Sequence, residues 1–440
     1  MLTRCRLQFH PLPFLLPIHV TKQPIFHYIQ VRPVFHSLFP KNNQSFPSLV
    51  NSYLALPNGL SQPTICDLKD CQSLLDSNMD FLSATIQSID STDTLQSSQA
   101  DDIHTLLSAI ITNHQTCSDG LQATTPPSSI QNNFLSPSDN GNKLYSVSLT
   151  LFKYGYVPKT GKDRWLAERE SMFSKNGHLG LEMSSQHRKV YESVSGRKLL
   201  QTSGGGQVKV NNMVIVNKDG SGNFMTISDA VAAAPNNTTA NTGYVMIYVV
   251  GGLYEEYILI AKSKQYMMIV GDGINKTIIT GNHSVVDGWT TFSSAAVAVQ
   301  QFYRECDING TMDFIFGNTA IVFQNRNVYP RLPILGQFNT ITAQGRTDVN
   351  QNTSTSIQNC TITAAPDLVA NNGTTETYLG RPWKLYSRTV YMQCFLDSLI
   401  NQLVGLRGPG LLHLTRIMRN TIIEDWDRVL PTGLLGLVTM

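Results

Sequence analysis

Charge is scarce in this chain. Only 15% of its 440 residues are Asp, Glu, Lys or Arg, and the formal net charge is +2. A balance so near zero leaves no basic footprint for nucleic acid, and the basic residues that do cluster, from Lys153 to Lys198, lie in one polar stretch rather than on a motif. Long apolar runs are missing too, and no stretch reaches the roughly 20 residues needed to span a membrane. The seven cysteines, an odd number, form no Cys-x-x-Cys and no Cys/His spacing, so no metal is implied, and nothing in the sequence calls for a cofactor. What is abundant is Ser, Thr, Asn and Gly, a composition suited to short extended runs joined by turns. The length exceeds one typical domain and leaves ample chain for a core.

Residues 1–60 show no clear period and stay unassigned. Within them Pro11-Leu-Pro-Phe-Leu-Leu-Pro-Ile18 is too short and too broken by proline to be a convincing export signal. From Leu68 a helical pattern sets in: Leu68, Cys71, Leu75, Met79, Leu82, Ile86 and Ile89 recur at steps of three and four. A second face runs through Ile103, Leu106, Leu107, Ile110, His114 and Cys117, and a shorter third through Leu144, Val147 and Leu151. Residues 61–153 therefore predict a helical region, and 154–206 a polar, basic linker containing Arg197 and Lys198.

Beyond residue 206 the pattern changes to short β-rich runs between Asn/Gly turns. Val245–Val250, Met267–Val270, Thr277–Thr280, Ala320–Phe323, Thr340–Thr342, Ser356–Thr363 and Thr389–Cys394 are examples. Alternation within each run and turns every one or two dozen residues suggest a parallel β-helix over 207–400, although a sandwich also fits the pattern.

One pair of motifs points to chemistry. Met312-Asp-Phe-Ile-Phe-Gly317 sets a carboxylate among apolar residues, and Leu379-Gly-Arg-Pro-Trp383 supplies a cation and an indole. An aspartate among apolar residues stays ionised when a cation neighbours it, and an ionised, partly desolvated aspartate is a nucleophile toward an ester. Trp383 offers a flat face to a sugar ring. The plainer reading is a strand-end aspartate and a surface arginine.

These motifs, with Lys218-Asp-Gly-Ser-Gly-Asn-Phe224, Val286-Asp-Gly-Trp-Thr-Thr-Phe292, Gln301-Phe-Tyr-Arg-Glu-Cys306 and Thr342-Ala-Gln-Gly-Arg-Thr-Asp348, resemble the plant pectinesterases from Val214 to Leu399. Asp70-Cys-Gln72, Asn78-Met-Asp-Phe-Leu82 and Cys117-Ser-Asp-Gly-Leu121 resemble the inhibitor-type pro-region that precedes many of them. The resemblance implies an all-β right-handed parallel β-helix preceded by an α-helical bundle. It also implies secretion to the cell wall and hydrolysis of methyl esters of homogalacturonan, with pectin as the partner and pectinesterase inhibitor proteins as further ones. Asp313 matches the nucleophile, Arg381 the arginine that pairs with it, and Trp383 a substrate-binding residue. Cys71 and Cys117 match a bridged pair, and Arg197-Lys198 a processing site. Sequons at Asn237, Asn275, Asn282, Asn309, Asn352 and Asn372 are compatible with a secreted glycoprotein.

Three departures matter. The helical hairpin that precedes the bundle in the family is not recognisable, so the bundle is expected to be incomplete. The family's acid/base aspartate, in a Tyr-Gln-Asp-Thr-Leu-Tyr motif, and its two oxyanion glutamines have no match. Phe292 to Arg304 instead joins an early coil directly to a later one, as if about two coils were lost. After Ile400 the match stops, and residues 401–440 read as the product of a shifted frame, expected to carry no selected structure. Arg326 stands at a family cysteine position, which implies that Cys360 has lost that partner.

Overall fold

The computed structural model describes residues 45–55, 60–91, 95–124, 129–156, 181–195, 208–298 and 301–401, apart from 240, 262 and 372–374, and the short strands 413–414 and 436–439. Arg197, Lys198 and the Pro11–Ile18 run lie outside them.

Among the described residues four helices form the N-terminal part: α1 (Ser45–Leu54), α2 (Gln62–Asp90), α3 (Ser97–Thr124) and α4 (Ser129–Tyr156). Ser61 starts α2 by accepting a hydrogen bond from the Thr64 N–H at 3.3 Å, with a proline in the first turn. Leu68, Cys71, Leu75, Leu82 and Ile89 are buried, but Met79 is exposed, and Leu74, Asn78, Phe81 and Thr85 complete the face. In α4 the expected face is one residue out of phase. Tyr145, Ser148, Leu149 and Phe152 are buried while Val147 is half exposed, because the aromatics pack on Phe81, Ile103 and Ile110. Part of the unassigned N-terminal stretch is helical: Phe46 and Val50 of α1 are buried against Leu68, Cys71, Cys117 and Leu121. The chain is thus less incomplete at this end than its weak periodicity suggests. Cys71 and Cys117 form a disulfide.

After β1 (Leu181–Glu182) and α5 (Ser185–Ser195) the chain enters β2 (Val208–Val216), α6 (Ile227–Ala233) and a series of coils. Each coil but the last contributes one strand to a large sheet and two to smaller ones. The first coils are β3 (Tyr244–Val249), β4 (Gly252–Glu255), β5 (Ile258–Leu259), then β6 (Met267–Gly271), β7 (Thr277–Thr280), β8 (Val297–Ala298). The later ones are β9 (Gln301–Arg304), β10 (Ile308–Gly310), β11 (Met312–Gly317), then β12 (Ala320–Gln324), β13 (Asn327–Pro330), β14 (Asn339–Gln344). They are followed by β15 (Ser354–Gln358), β16 (Thr361–Ile362), α7 (Pro366–Val369), β17 (Thr377–Gly380), and finally β18 (Arg388–Met392) and β19 (Phe395–Leu396). All ladders are parallel, and Ile247, Ile269, Phe323, Ile357 and Tyr391 stack inward at matching positions to make one continuous core. This is a parallel β-helix.

The coils are interrupted at one place. β7 pairs with β4 and β8 with β5, yet among the described residues neither pairs with the coil that follows. In the large sheet β6 and β9 are separated by a single strand, β21 (Gly436–Thr439), which pairs with both. Another tail strand, β20 (His413–Leu414), pairs with β18. The expectation of a tail without structure therefore fails in part. An interrupted sheet presents two open edges of backbone N–H and C=O groups, and an extended apolar segment such as Gly436-Leu-Val-Thr439 satisfies both. The gap admits one strand, where the sequence suggests about two lost coils.

Candidate active site

Asp313, Arg381 and Trp383 meet on the smaller sheet β11-β14-β17. The register of β11 on β14 slips between Met312 and Ile315, and Asp313 takes a positive φ of 55°. A non-glycine residue held there is strained, and such strain is held in place by its surroundings. Here Thr340 does the holding: its hydroxyl accepts from the Asp313 N–H at 3.0 Å and donates to Asp313 Oδ1. The Arg381 Nε lies 2.9 Å from both carboxylate oxygens, its terminal nitrogen also donates to Oδ2, and the Trp383 Nε1–H donates to Oδ2 at 3.2 Å. Every partner of the carboxylate is a donor, the pattern an ionised aspartate requires. The Asp313 carboxylate in turn raises the Arg381 pKa above its ordinary value. Asp313 itself is buried, with only 8% exposed.

The approach of β17 to β14 depends on a glycine. A Cβ at Gly380 would stand 2.7 Å from the Thr342 carbonyl oxygen, so a side chain there would push the Arg381 strand off its neighbour. Beyond Gly380, the N–H groups of Arg381 and Trp383 bond to the carbonyls of Thr342 and Gln344 at 2.9 and 3.1 Å. Trp383 tilts against Phe316 with ring centroids 5.6 Å apart. Next to it a buried amide network holds the loop after β14: Gln344 Nε2 donates to Asn318 Oδ1, Asn318 Nδ2 to Gln351 Oε1, and the Thr347 and Asp348 N–H groups to the same Gln351 oxygen. The motif Thr342–Asp348 marks this segment in the sequence, but nothing in the sequence shows that Thr340 and Asn318 belong with it.

The helical bundle is seated on these loops. The His104 ring contacts the Asn350 carbonyl at 2.8 Å, Gln351 Nε2 donates to the Ser108 carbonyl at 3.1 Å, and Asn352 Nδ2 donates to Thr105 at 2.9 Å. Ser146 donates to Asp348, and Lys384, next to Trp383, pairs with Asp119 at 2.8 Å. On another loop Thr290 and Ser293 donate to Asp70. Asn352 is thus buried in this contact, an unsuitable place for a glycan, whereas Asn237, Asn275, Asn282 and Asn309 are exposed.

Burial pushes the His104 pKa down to about 4, with Lys153 and Arg346 adding to the shift and the Asn350 hydrogen bond opposing it. The unfolded imidazole titrates near 6.5. A depressed pKa costs nothing above about 6.5, and it costs stability progressively as pH falls toward 4 while only the unfolded state binds the proton. Unfolding followed from pH 7 to pH 4 should therefore show His104→Gln losing less stability than the unchanged chain, by up to roughly 3 kcal/mol. Parallel pH profiles of the two would remove His104 from the account.

Comparison with known proteins fits this geometry. The family described as Pectinesterase matches residues 213–301 and 298–407, and the family described as Plant invertase/pectin methylesterase inhibitor matches residues 40–151. A probable pectinesterase/pectinesterase inhibitor 20 of Arabidopsis thaliana is 46% identical over 397 residues, covering 77% of this chain and 70% of that protein. The chain belongs to the pectinesterase family. A second Arabidopsis thaliana relative, probable pectinesterase/pectinesterase inhibitor 7, is 44% identical and covers 83% of the chain and 76% of its own length. The solved structure of a pectin methylesterase from carrot shares 34% identity over 53% of this chain and 83% of that one, with a TM-score of 0.40. The two pectinesterase stretches meet at residues 298–301, where the strand ladders are interrupted. The inhibitor match begins at residue 40 and takes in α1, whose periodicity in the sequence is weak.

Proposed function

We propose that this pectinesterase acts on the methyl esters of pectin through Asp313, with Arg381 and Trp383 positioning its carboxylate and Trp383 presenting a face to the uronate chain. The bidentate grip of Arg381 on Asp313 carries this reading. Asp313 attacks the ester carbonyl, the methoxide leaves, and water then cleaves the acyl-aspartate. The methoxide needs a proton and the water a base. The family's aspartate for that role, and its oxyanion glutamines, fall in the stretch missing between β8 and β9, so turnover is impaired at a site that still binds. The substrate and the exposed sequons favour secretion to the cell wall.

The bundle contacts with the loops after β14 and β17 favour a second element of the reading. Covering of this face in cis is relieved by cleavage at Arg197-Lys198, and a separate inhibitor protein would meet the same face. The test compares the intact chain with chain cleaved between bundle and β-helix, using retention on methyl-esterified pectin and methanol release. Cleavage should raise both at least several-fold, and Asp313→Ala should abolish the release. Equal behaviour of cleaved and intact chain would remove the covering role, and methanol release unaffected by Asp313→Ala would remove the assigned nucleophile.

A further inference from the structure

The corner at which each later coil leaves the large sheet is built alike four times. Glu305, Asn325, Asn359 and Gln393 follow β9, β12, β15 and β18 and adopt positive φ values of 60, 62, 49 and 54°. The next residues are Cys306, Arg326, Cys360 and Cys394. Register pairs Gln358 with Met392 and Thr361 with Phe395, so Cys360 and Cys394 stand opposite each other on neighbouring coils. Two backbone bonds of 2.9 Å, from Asn359 N–H to the Met392 carbonyl and from Phe395 N–H to the Cys360 carbonyl, clamp that corner. Cys360 is buried in the core and Cys394 packs against it.

Adjacent strands lie about 4.8 Å apart, within the roughly 4.4–6.8 Å separation of α-carbons that a disulfide spans. Cys306 is two coils from Cys360, about 9.6 Å by the same spacing and out of reach. In the structure both are free thiols that donate to backbone carbonyls, Cys360 to Gln358 at 3.1 Å and Cys394 to Met392 at 3.2 Å, and their proximity lowers the Cys360 pKa and raises that of Cys394. We propose that Cys360 and Cys394 form a disulfide that links the coil carrying Arg381 to the last coil. Between them lies the segment that presents Arg381 and Trp383, so the crosslink closes the loop holding both.

The oxidant is a disulfide of the thiol-exchange class. The Cys360 thiolate attacks one donor sulfur, the other leaves as a thiolate, and the Cys394 thiolate then displaces the remaining donor sulfur from Cys360. One S–S bond forms and one breaks, and the two electrons and two protons end on the donor as two thiols. Because Cys360 is buried, exchange takes place before the last coil closes.

The test is refolding of the full chain with oxidised and reduced glutathione, alkylation without reduction, and peptide mass spectrometry. A linked Cys360–Cys394 peptide pair, two hydrogens lighter than the separate peptides, should accompany the Cys71–Cys117 link. In Cys394→Ser, Cys360 should be alkylated, and Tm should fall by several degrees relative to the oxidised parent, both samples keeping the Cys71–Cys117 link, while the difference between variant and parent should vanish when both are reduced. Full alkylation of Cys360 and Cys394 in a sample whose Cys71–Cys117 link is intact would overturn the proposal. So would a Tm difference between Cys394→Ser and parent that is the same when both are oxidised and when both are reduced, which would mean packing alone.

Discussion

Purified chain should release methanol from methyl-esterified pectin at least two to three orders of magnitude more slowly than a relative with uninterrupted coils. Loss of one preorganised oxyanion donor typically costs about two to three orders of magnitude, and loss of a positioned acid/base roughly two to four. These contributions act on the same transition state and need not multiply, so the lower figure is the safe expectation. The nucleophile side of the site survives: Asp313 is held by Thr340, Arg381 and Trp383 on three adjacent strands. Insertion of a relative's coils between Val299 and Gln301 should displace β21 from the β6/β9 gap and restore turnover. Asp313→Ala in the restored chain should remove it again. A rate typical of complete relatives in the unmodified chain would require another proton donor, and the account of the interruption would then be wrong.

The second large effect concerns stability. Replacing Cys71 by Ser should destabilise the bundle by roughly 3 to 4 kcal/mol, because the bridge closes a loop that costs the unfolded chain that much conformational freedom. The link joins α2 to α3 across a sequence separation of 46, and its sulfurs sit in the cluster that also anchors α1 through Phe46 and Val50. Its flanking residues Asp70 and Asp119 reach Thr290 and Lys384 of the β-helix. Loosening this end should therefore also release the loop that carries Trp383. Urea unfolding monitored by far-UV circular dichroism would measure the first effect, and an increase in pectin retention the second. A variant that unfolds with the parent's midpoint would show that packing of the cluster alone holds the bundle.

Much of this was legible locally. Runs such as Val245–Val250 and Thr389–Cys394 announce strands by their β-branched and aromatic residues, although β3 is buried on both faces and so does not announce which set points inward, and Asp313 and Arg381 declare themselves by unlike neighbours. The sequence leaves the helical phase of α4 open because Leu144, Val147 and Leu151 repeat as regularly as Tyr145, Leu149 and Phe152. Only the facing helices choose between two such stripes, and here Phe81 and Ile110 chose the aromatic one. Weak periodicity likewise hid α1, whose Phe46 and Val50 suffice once the α2 and α3 ends make a pocket for them.

By itself the sequence determined the run of short strands between turns and the carboxylate-cation-indole motif, because each is written in neighbours along the chain; that the strands are parallel followed only from the family resemblance and the ladders. The tertiary structure alone decided that Asp313 takes a positive φ under Thr340, that Cys394 faces Cys360, and that helix α3 lies on the loop from Asn350 to Asn352. It also decided that a tail strand fills the open edge between β6 and β9. These depend on pairing between segments far apart in sequence. Such pairing is set by which edges and apolar faces remain unsatisfied after the local elements have formed.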